Sequence, residues 1–189
     1  VQKLQNAFSA ATGLASIITE PDGTPITNPS GFTCLCNQII RKTEKGTKNC
    51  MNSDSTSGRP SKDGPIIQKC LSAGLIDGGA SIMIGDYHIA NWLMGQVMDA
   101  SCNEADVLAY ADEIGADRSD VLEALKNVPK MSQEQFLGFA DFLYINAKEL
   151  SMLAVVNLQQ KQEIEMRLQA EAQLMQEREL FKVTIQSIG

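Results

Sequence analysis

The chain has 189 residues, a formal net charge of -7 and a pI near 4.7. This is enough for one well-buried domain with an extension. The acidic balance and scattered basic residues argue against nucleic acid or anionic lipid as a partner, and no apolar run is long enough to span a membrane. Five cysteines without a secreted disulfide pattern indicate a reduced, cytoplasmic protein.

The first third of the chain predicts a helix followed by short strands. Apolar residues at three-four spacing predict a first helix that Gly13 ends. Two β-rich runs around a Pro-Asp-Gly turn at residues 21–23 predict a hairpin. Residues 32–41 predict a second helix, ended by Gly46, and the polar residues 53–64 predict a helix end running into an exposed loop.

The middle of the chain predicts the rest of a sheet. After a short strand come a glycine-rich bend and a hairpin that turns at Gly85-Asp86. Trp92 and Gln96 are four residues apart in the second strand of this hairpin, so we expect them on one face. A Trp beside a Gln would give a pocket a flat wall and an orienting hydrogen bond, and the alternative is that Trp92 belongs to the core.

Helices follow after residue 99. Asn103 and Gly115 bracket a first helix, a second ends at Pro129, and Ser132 opens a third with a capping-box arrangement. This last helix continues without a stop signal to the end of the chain, where the heptad seam is weak. We expect a marginal, parallel coiled coil with a second copy, able to shift register. The apolar seam positions are Ile164, Leu168 and Met175, and the charged ones are Lys161, Glu171 and Arg178.

Several residue types that carry chemistry are present, but they form no catalytic constellation. There is no nucleophile elbow, phosphate-binding loop or second histidine, so we do not expect an enzyme. His88 fits a structural role better than a base or a metal ligand. Asp77 either caps the backbone amides of the glycine-rich bend or points into a cavity.

Three cysteines on separate predicted elements leave three roles open. Cys36, Cys50 and Cys70 pack as small hydrophobes, line the pocket of an organic ligand, or converge on a metal, cluster or haem or as a redox switch. Cys34 and Cys36 point about 200° apart on a helix, so both cannot face one site.

Three blocks of sequence together resemble the PocR sensory domain family over residues 1–155. The blocks are "TEKGTKNCMNSD" (43–54), "KCLSAGLIDGGASI" (69–82) and "HIANWLMGQV" (88–97). The resemblance implies a ligand-sensing module of transcription regulators and histidine kinases, with a PAS- or GAF-like antiparallel sheet flanked by helices and a cavity for simple hydrocarbon derivatives such as diols. The positions that match the family pattern are Cys36, Cys50, Ser53, Asp54, Cys70, Gly74, Asp77, His88, Trp92, Gly95 and Gln96.

A second, shorter resemblance lies at the end of the chain. "ERELFKVTIQSIG" (177–189) is similar to the linker and first helix of a PAS domain. It implies that residues 156–189 form a signalling helix leading to a further domain, and that an output such as a kinase lies beyond Gly189.

Together these observations predict an α/β sensory domain with a long C-terminal helix. A small organic ligand would shift a dimeric output helix, and a metal, haem or redox sensor is the alternative. The expected ligand-binding residues are Cys36, Cys50, Cys70, Asp77, His88, Trp92 and Gln96, and the metal ligands in the alternative are Cys36, Cys50 and Cys70.

Overall fold

The fold was analysed in a computed structural model that describes residues 1–188, without the side chains of residues 184, 185, 187 and 188. Gly189 and these side chains therefore lie outside the described part of the PAS-like stretch 177–189. The elements follow in the order α1 (Gln2–Thr12), β1 (Ala15–Thr19), a π-helical segment (Leu35–Ile39), a 3₁₀ turn (Ile40–Lys42), α2 (Glu44–Gly58), β2 (Ile66–Lys69), β3 (Ile76–Ile84), β4 (Tyr87–Val97), α3 (Glu104–Ile114), α4 (Arg118–Leu125) and α5 (Gln133–Ile188).

The four strands form one antiparallel sheet in the order β1-β4-β3-β2. The hairpin β3–β4 supplies its two central strands, and its turn lies at Gly85-Asp86 as the sequence predicts. Helices accompany this sheet and a long helix ends the described chain, which confirms the expected α/β class.

Each face of the sheet has its own apolar core. On one face, α1 and the first half of α5 pack against side chains of the central strands. On the other, the π-helical segment, α2, α3 and α4 surround a second cluster. The first core includes Phe8, Leu14, Ile82, Trp92, Met94, Val97, Phe136, Ala140, Leu143 and Ala147. The second includes Leu35, Cys36, Ile40, Cys50, Leu75, Val107, Tyr110, Val121 and Leu125.

The burial of helix α5 changes along its length. The chain divides into two compact units, residues 1–151 and residues 152–189. In the first unit, α5 buries Phe136, Leu143 and Ala147. In the second, all side chains described from residue 156 onward are exposed, including Leu168 and Met175. Among the described residues, no helix combines the length and apolarity needed to cross a membrane.

Several local predictions are wrong, each for a physical reason. Gly46 ends no helix; it lies in the first turn of α2, where its N–H donates to the Oγ1 of the N-cap Thr43 at 3.0 Å. By contrast, the helix end predicted within residues 53–64 is confirmed, because α2 ends at Gly58 and a loop follows. The run after residue 23 adds only single bridges to β1, not a strand. The predicted glycine-rich bend is the first part of β3.

Gly79 of β3 is needed because α2 packs very close to the sheet. A Cβ at Gly79 would lie 2.5 Å from Cδ2 of Leu93 and 2.9 Å from the carbonyl oxygen of Ser57. At the end of α2, a Cβ at Gly58 would collide with the side chain of Asn91. Because neither position carries a Cβ, the backbone of α2 can lie directly against the strands.

We expect Gly79→Ala to lower the free energy of unfolding by about 1–3 kcal/mol, because α2 and β4 would have to move apart. Gly138→Ala is the matched control, since Gly138 is an exposed position of α5 with open space around it. It should raise stability by up to about 1 kcal/mol through helix propensity. Urea denaturation measures both; equal midpoints for Gly79→Ala and the wild type would contradict the close packing.

Candidate ligand-binding site

A cavity lies between the sheet and the layer formed by the π-helical segment and α2. Its volume is about 30 Å³, which is room for about two water molecules. The wall is apolar on one side, where Phe32, Leu75 and Leu93 contribute. The polar lining residues are Ser16, Cys36, Arg41, Cys50, Asp54, Ser57, Cys70, Ser72, Asp77 and Gln96.

A β-bulge brings two of the predicted site residues together. The pairing of β3 with β4 shifts between Ile76–Val97 and Asp77–Gly95, which leaves Gln96 as an extra residue with φ of 61°. The backbone N–H of Gln96 donates to Oδ1 of Asp77 at 2.9 Å. Its side-chain Oε1 accepts from the backbone N and the Oγ1 of Thr33, at 2.8 and 2.9 Å. The bulge therefore joins β3, β4 and the start of the π-helical region at the cavity.

The carboxyl group of Asp77 is buried in this wall. Burial raises its pKa to about 7, although the hydrogen bond from the Gln96 backbone acts in the opposite direction. Near neutral pH, Asp77 therefore exists in both its protonated and its ionised form. The protonated form donates a hydrogen bond and the ionised form only accepts.

An ion pair also lines the cavity. Nη2 of Arg41 donates to Oδ2 of Asp54 at 2.7 Å, and the guanidinium carbon lies 5.1 Å from the centre of the Phe32 ring. Burial raises the pKa of Asp54, while Arg41 partly offsets this rise. Each charge of the pair balances the other, so the pair adds polar groups to the cavity without a net charge.

Two polar atoms in the lining have no protein partner. Among the described buried side-chain nitrogen and oxygen atoms, Nε of Arg41 and Oγ of Ser57 make no hydrogen bond. Buried polar groups are nearly always paired, because leaving one unpaired costs about 1–3 kcal/mol. Unpaired groups in a cavity wall are therefore candidates for binding something inside it.

The three cysteines of the hypothesis all line this cavity. Cys36 comes from the π-helical segment, Cys50 from α2 and Cys70 from the end of β2, whereas Cys34 is exposed. Burial raises the pKa of the Cys36 and Cys50 thiols and that of Cys70 to about 12. The thiols are therefore protonated at neutral pH. Within residues 1–188, no three His, Cys, Asp or Glu side chains are arranged to hold a metal ion.

Trp92 and His88 lie away from the cavity. Trp92 is 1% exposed and packs edge-on against Phe8 in the core beneath α1 and α5, while its Nε1 donates to Oγ of Ser16. His88 places Nε2 2.7 Å from Oδ1 of the buried Asn91. The expectation that Trp92 and Gln96 share a face is wrong, because the bulge turns Gln96 to the cavity side. Cys36, Cys50, Cys70, Asp77 and Gln96 are brought together at the cavity.

Comparison with known proteins identifies the family of the chain. Residues 1–155 match the family model described as the sensory domain found in PocR. The chain belongs to this PocR sensory domain family. It is 30% identical over 146 residues, 76% of this chain, to Regulatory protein PocR of Salmonella typhimurium, of which the match covers 47%. The chain thus spans about half the length of this curated relative. No solved structure matches the chain.

Membership of the PocR sensory family confirms the resemblance and defines the general role of the domain, which is to sense a signal in a regulatory protein. Sequence reasoning did not single out Arg41 and Ser57 in the cavity wall. Arg41 follows Ile39-Ile40 and is itself followed by Lys42, so the local sequence gives no signal that distinguishes it from a surface residue. Its pairing with Asp54 joins separate elements, so no helix or strand spacing predicts it.

Asp77→Asn should make this PocR domain more stable at high pH. Because the pKa of Asp77 is raised from 3.8 to about 7, the folded wild type loses stability as the pH rises through that window. Asparagine stays neutral, and its Oδ1 still accepts from Gln96. We expect similar unfolding midpoints at pH 4 and an advantage of about 2–4 kcal/mol for the variant at pH 8.

Denaturant unfolding from pH 4 to pH 8 measures this difference, and Asp141→Asn on the exposed surface of α5 is the control. Asp54 contributes a pH dependence of the same sign, but it is common to both proteins and cancels in the comparison. An advantage for Asp77→Asn that is constant across the pH range would contradict burial of an ionisable Asp77.

Proposed function

We propose that this PocR sensory domain binds a small, uncharged molecule carrying oxygen atoms in the cavity between the sheet and α2. The observation that carries the proposal is the pair of unpartnered polar atoms, Nε of Arg41 and Oγ of Ser57, in the cavity wall. The N–H of Arg41 needs an acceptor, and the hydroxyl of Ser57 both donates and accepts. A ligand hydroxyl can pair with either group, and a ligand carbonyl oxygen can accept from either.

The charge of the lining supports a neutral ligand. Arg41 is already paired with Asp54, and the thiols around the cavity are protonated, so no free positive charge is available to balance a buried anion. A cation would have to pair with Asp77, whose burial favours the protonated, uncharged form. Asp77 adds a group that accepts a ligand hydroxyl when ionised and donates to a ligand oxygen when protonated. Simple alcohols and diols, the ligands that the family resemblance implies, belong to this class.

The size of the cavity supports a small ligand. At about 30 Å³, it admits a molecule of only a few non-hydrogen atoms without movement of the wall. The five predicted residues Cys36, Cys50, Cys70, Asp77 and Gln96 would contact it. Trp92 and His88 would act only indirectly, Trp92 through its hydrogen bond to the lining residue Ser16.

We further propose that α5 transmits the signal as a dimer. Its buried residues Phe136, Leu143 and Ala147 pack on the sheet, and the same helix continues to Ile188. Beyond residue 156 its apolar side chains are exposed, and a second copy in parallel would cover them. Ligand binding would favour one arrangement of the helix over another and pass this preference to an output domain such as a histidine kinase.

The alternative is a metal, haem or redox sensor that uses Cys36, Cys50 and Cys70. The convergence of these thiols on one cavity favours it, whereas their raised pKa values make them poor thiolate ligands in the absence of a cation. Elemental analysis and an absorption spectrum of protein purified without oxygen separate the two functions. Stoichiometric metal or a haem absorption band would support the metal or haem sensor and contradict the proposal of an organic ligand.

Ser57→Ala should weaken ligand binding without lowering stability. Removal of an unpaired buried hydroxyl leaves the free energy of unfolding unchanged or higher. The dissociation constant of a ligand found by mass spectrometry of the purified protein, or by a thermal-shift screen of alcohols, diols, aldehydes and carboxylic acids, should rise about tenfold, the equivalent of one hydrogen bond. Ser55→Ala, on the same helix but outside the lining, is the control. Equal affinity in the wild type and Ser57→Ala would contradict the assignment of the site.

Disulfide crosslinking tests the transmitter. In a Cys34→Ser background, Leu168→Cys and Met175→Cys lie on the proposed seam, and Gln169→Cys faces outward. The seam variants should crosslink between copies, and their relative yields should change with a saturating ligand. Equal yields at all three positions would argue against the parallel seam, and yields unaffected by the ligand would argue against transmission through α5.

A further inference from the structure

A second cavity lies on the opposite face of the sheet, beneath the start of α5. Its volume is about 210 Å³, so it is larger than the first cavity. Its lining is mainly apolar, with Ile67, Ile76 and Val97 from the strands and Met131, Phe136 and Leu137 from the root of α5. Val97 and Phe136 are buried and form its floor, whereas Ser132 and Gln133 are exposed at its mouth.

We propose that this cavity is a second ligand site, which takes a small apolar molecule of about the size of a benzene ring. An apolar cavity of about 150 Å³ in another protein stays dry and binds benzene or xenon, so a volume of 210 Å³ accommodates an occupant of that size. The gain comes from moving the apolar surface of the occupant, and the apolar lining, out of contact with water.

The chemistry of the mouth defines the occupant more closely. Asp99 lies at the rim, and hydrogen bonds from Ser101 lower the pKa of its carboxyl group, so it is ionised at neutral pH. The ammonium group of Lys69, which donates to the carbonyl oxygen of Ser101, offsets this negative charge, so the rim offers no net charge to pair with a charged head group. The site therefore takes a neutral hydrocarbon body.

The two cavities lie on opposite faces of the same part of the sheet. Ile76 and Val97 form a cross-strand pair and line the second cavity, and their chain neighbours Asp77 and Gln96 line the first. An occupant that displaces Ile76 or Val97 must therefore displace the bulge that positions Asp77 and Gln96. The second site lies between the first site and the root of α5, where its occupancy biases the same helix.

Methyl NMR with benzene as the probe tests the site in the 189-residue chain. Benzene should shift the methyl signals of Ile67, Ile76, Val97 and Met131 in a saturable manner, and the shifts should persist in Ser57→Ala, which alters only the first cavity. Leu137→Trp should fill the mouth and raise the dissociation constant for benzene at least tenfold. Leu158→Trp is the matched control, because Leu137 and Leu158 are 43% and 44% exposed on the same helix.

Absence of saturable shifts in the wild type, or equal benzene affinity in Leu137→Trp and the control, would overturn the second site. Should Leu137→Trp not fold, Met131→Phe fills the same space from the opposite side and must show the same loss. Because the benzene measurement needs no ligand in the first cavity, its outcome is independent of the function proposed above.

Discussion

One hydrogen bond organises both faces of the sheet: the backbone N–H of Gln96 donates to the buried carboxyl of Asp77. It holds the bulge that sends Gln96 to the polar cavity and Val97 to the apolar core beneath α5. In an unbulged strand, strict alternation would place the amide of Gln96 in that core and Val97 among polar groups. Burying an unpaired amide costs a few kcal/mol. The polar site and the apolar core therefore both depend on one extra residue in β4.

The same wall carries groups that reduce the stability of the empty domain. Asp77 is held where its ionised form is disfavoured, and Arg41 and Ser57 have polar atoms without protein partners. A domain selected only for stability would replace these groups by apolar side chains of similar volume. Their concentration around one cavity, in a family of sensory domains, is understandable if the stability lost without a ligand is regained when one binds.

Local signals in the sequence predicted the elements whose ends depend on local chemistry. Gly13 and Gly115 end α1 and α3 as left-handed caps, and Ser132 opens α5. Two predictions failed where a contact distant in sequence decides: Gly79 of β3 serves the approach of α2, and Gln96 changes face through its bond to Asp77. The prediction at Gly46 failed for a local reason, because Thr43 caps a helix that Gly46 helps to begin. Five candidate site residues lie at the cavity, but Arg41 and Ser57 could not be found, since their roles arise only from tertiary packing.

The anchoring of α2 has a kinetic consequence. Gly58 sets the end of this helix directly on Asn91, and Gly79 lies beneath Ser57, so this side of the cavity cannot open without separating the helix from the strands. The opposite side is held by two hydrogen bonds from Thr33 to Gln96, at the start of the π-helical region. A ligand bound as proposed would therefore exchange past the segment held by two hydrogen bonds more easily than past α2. Exchange would then require only local opening around Thr33 and would leave α2 packed on the strands.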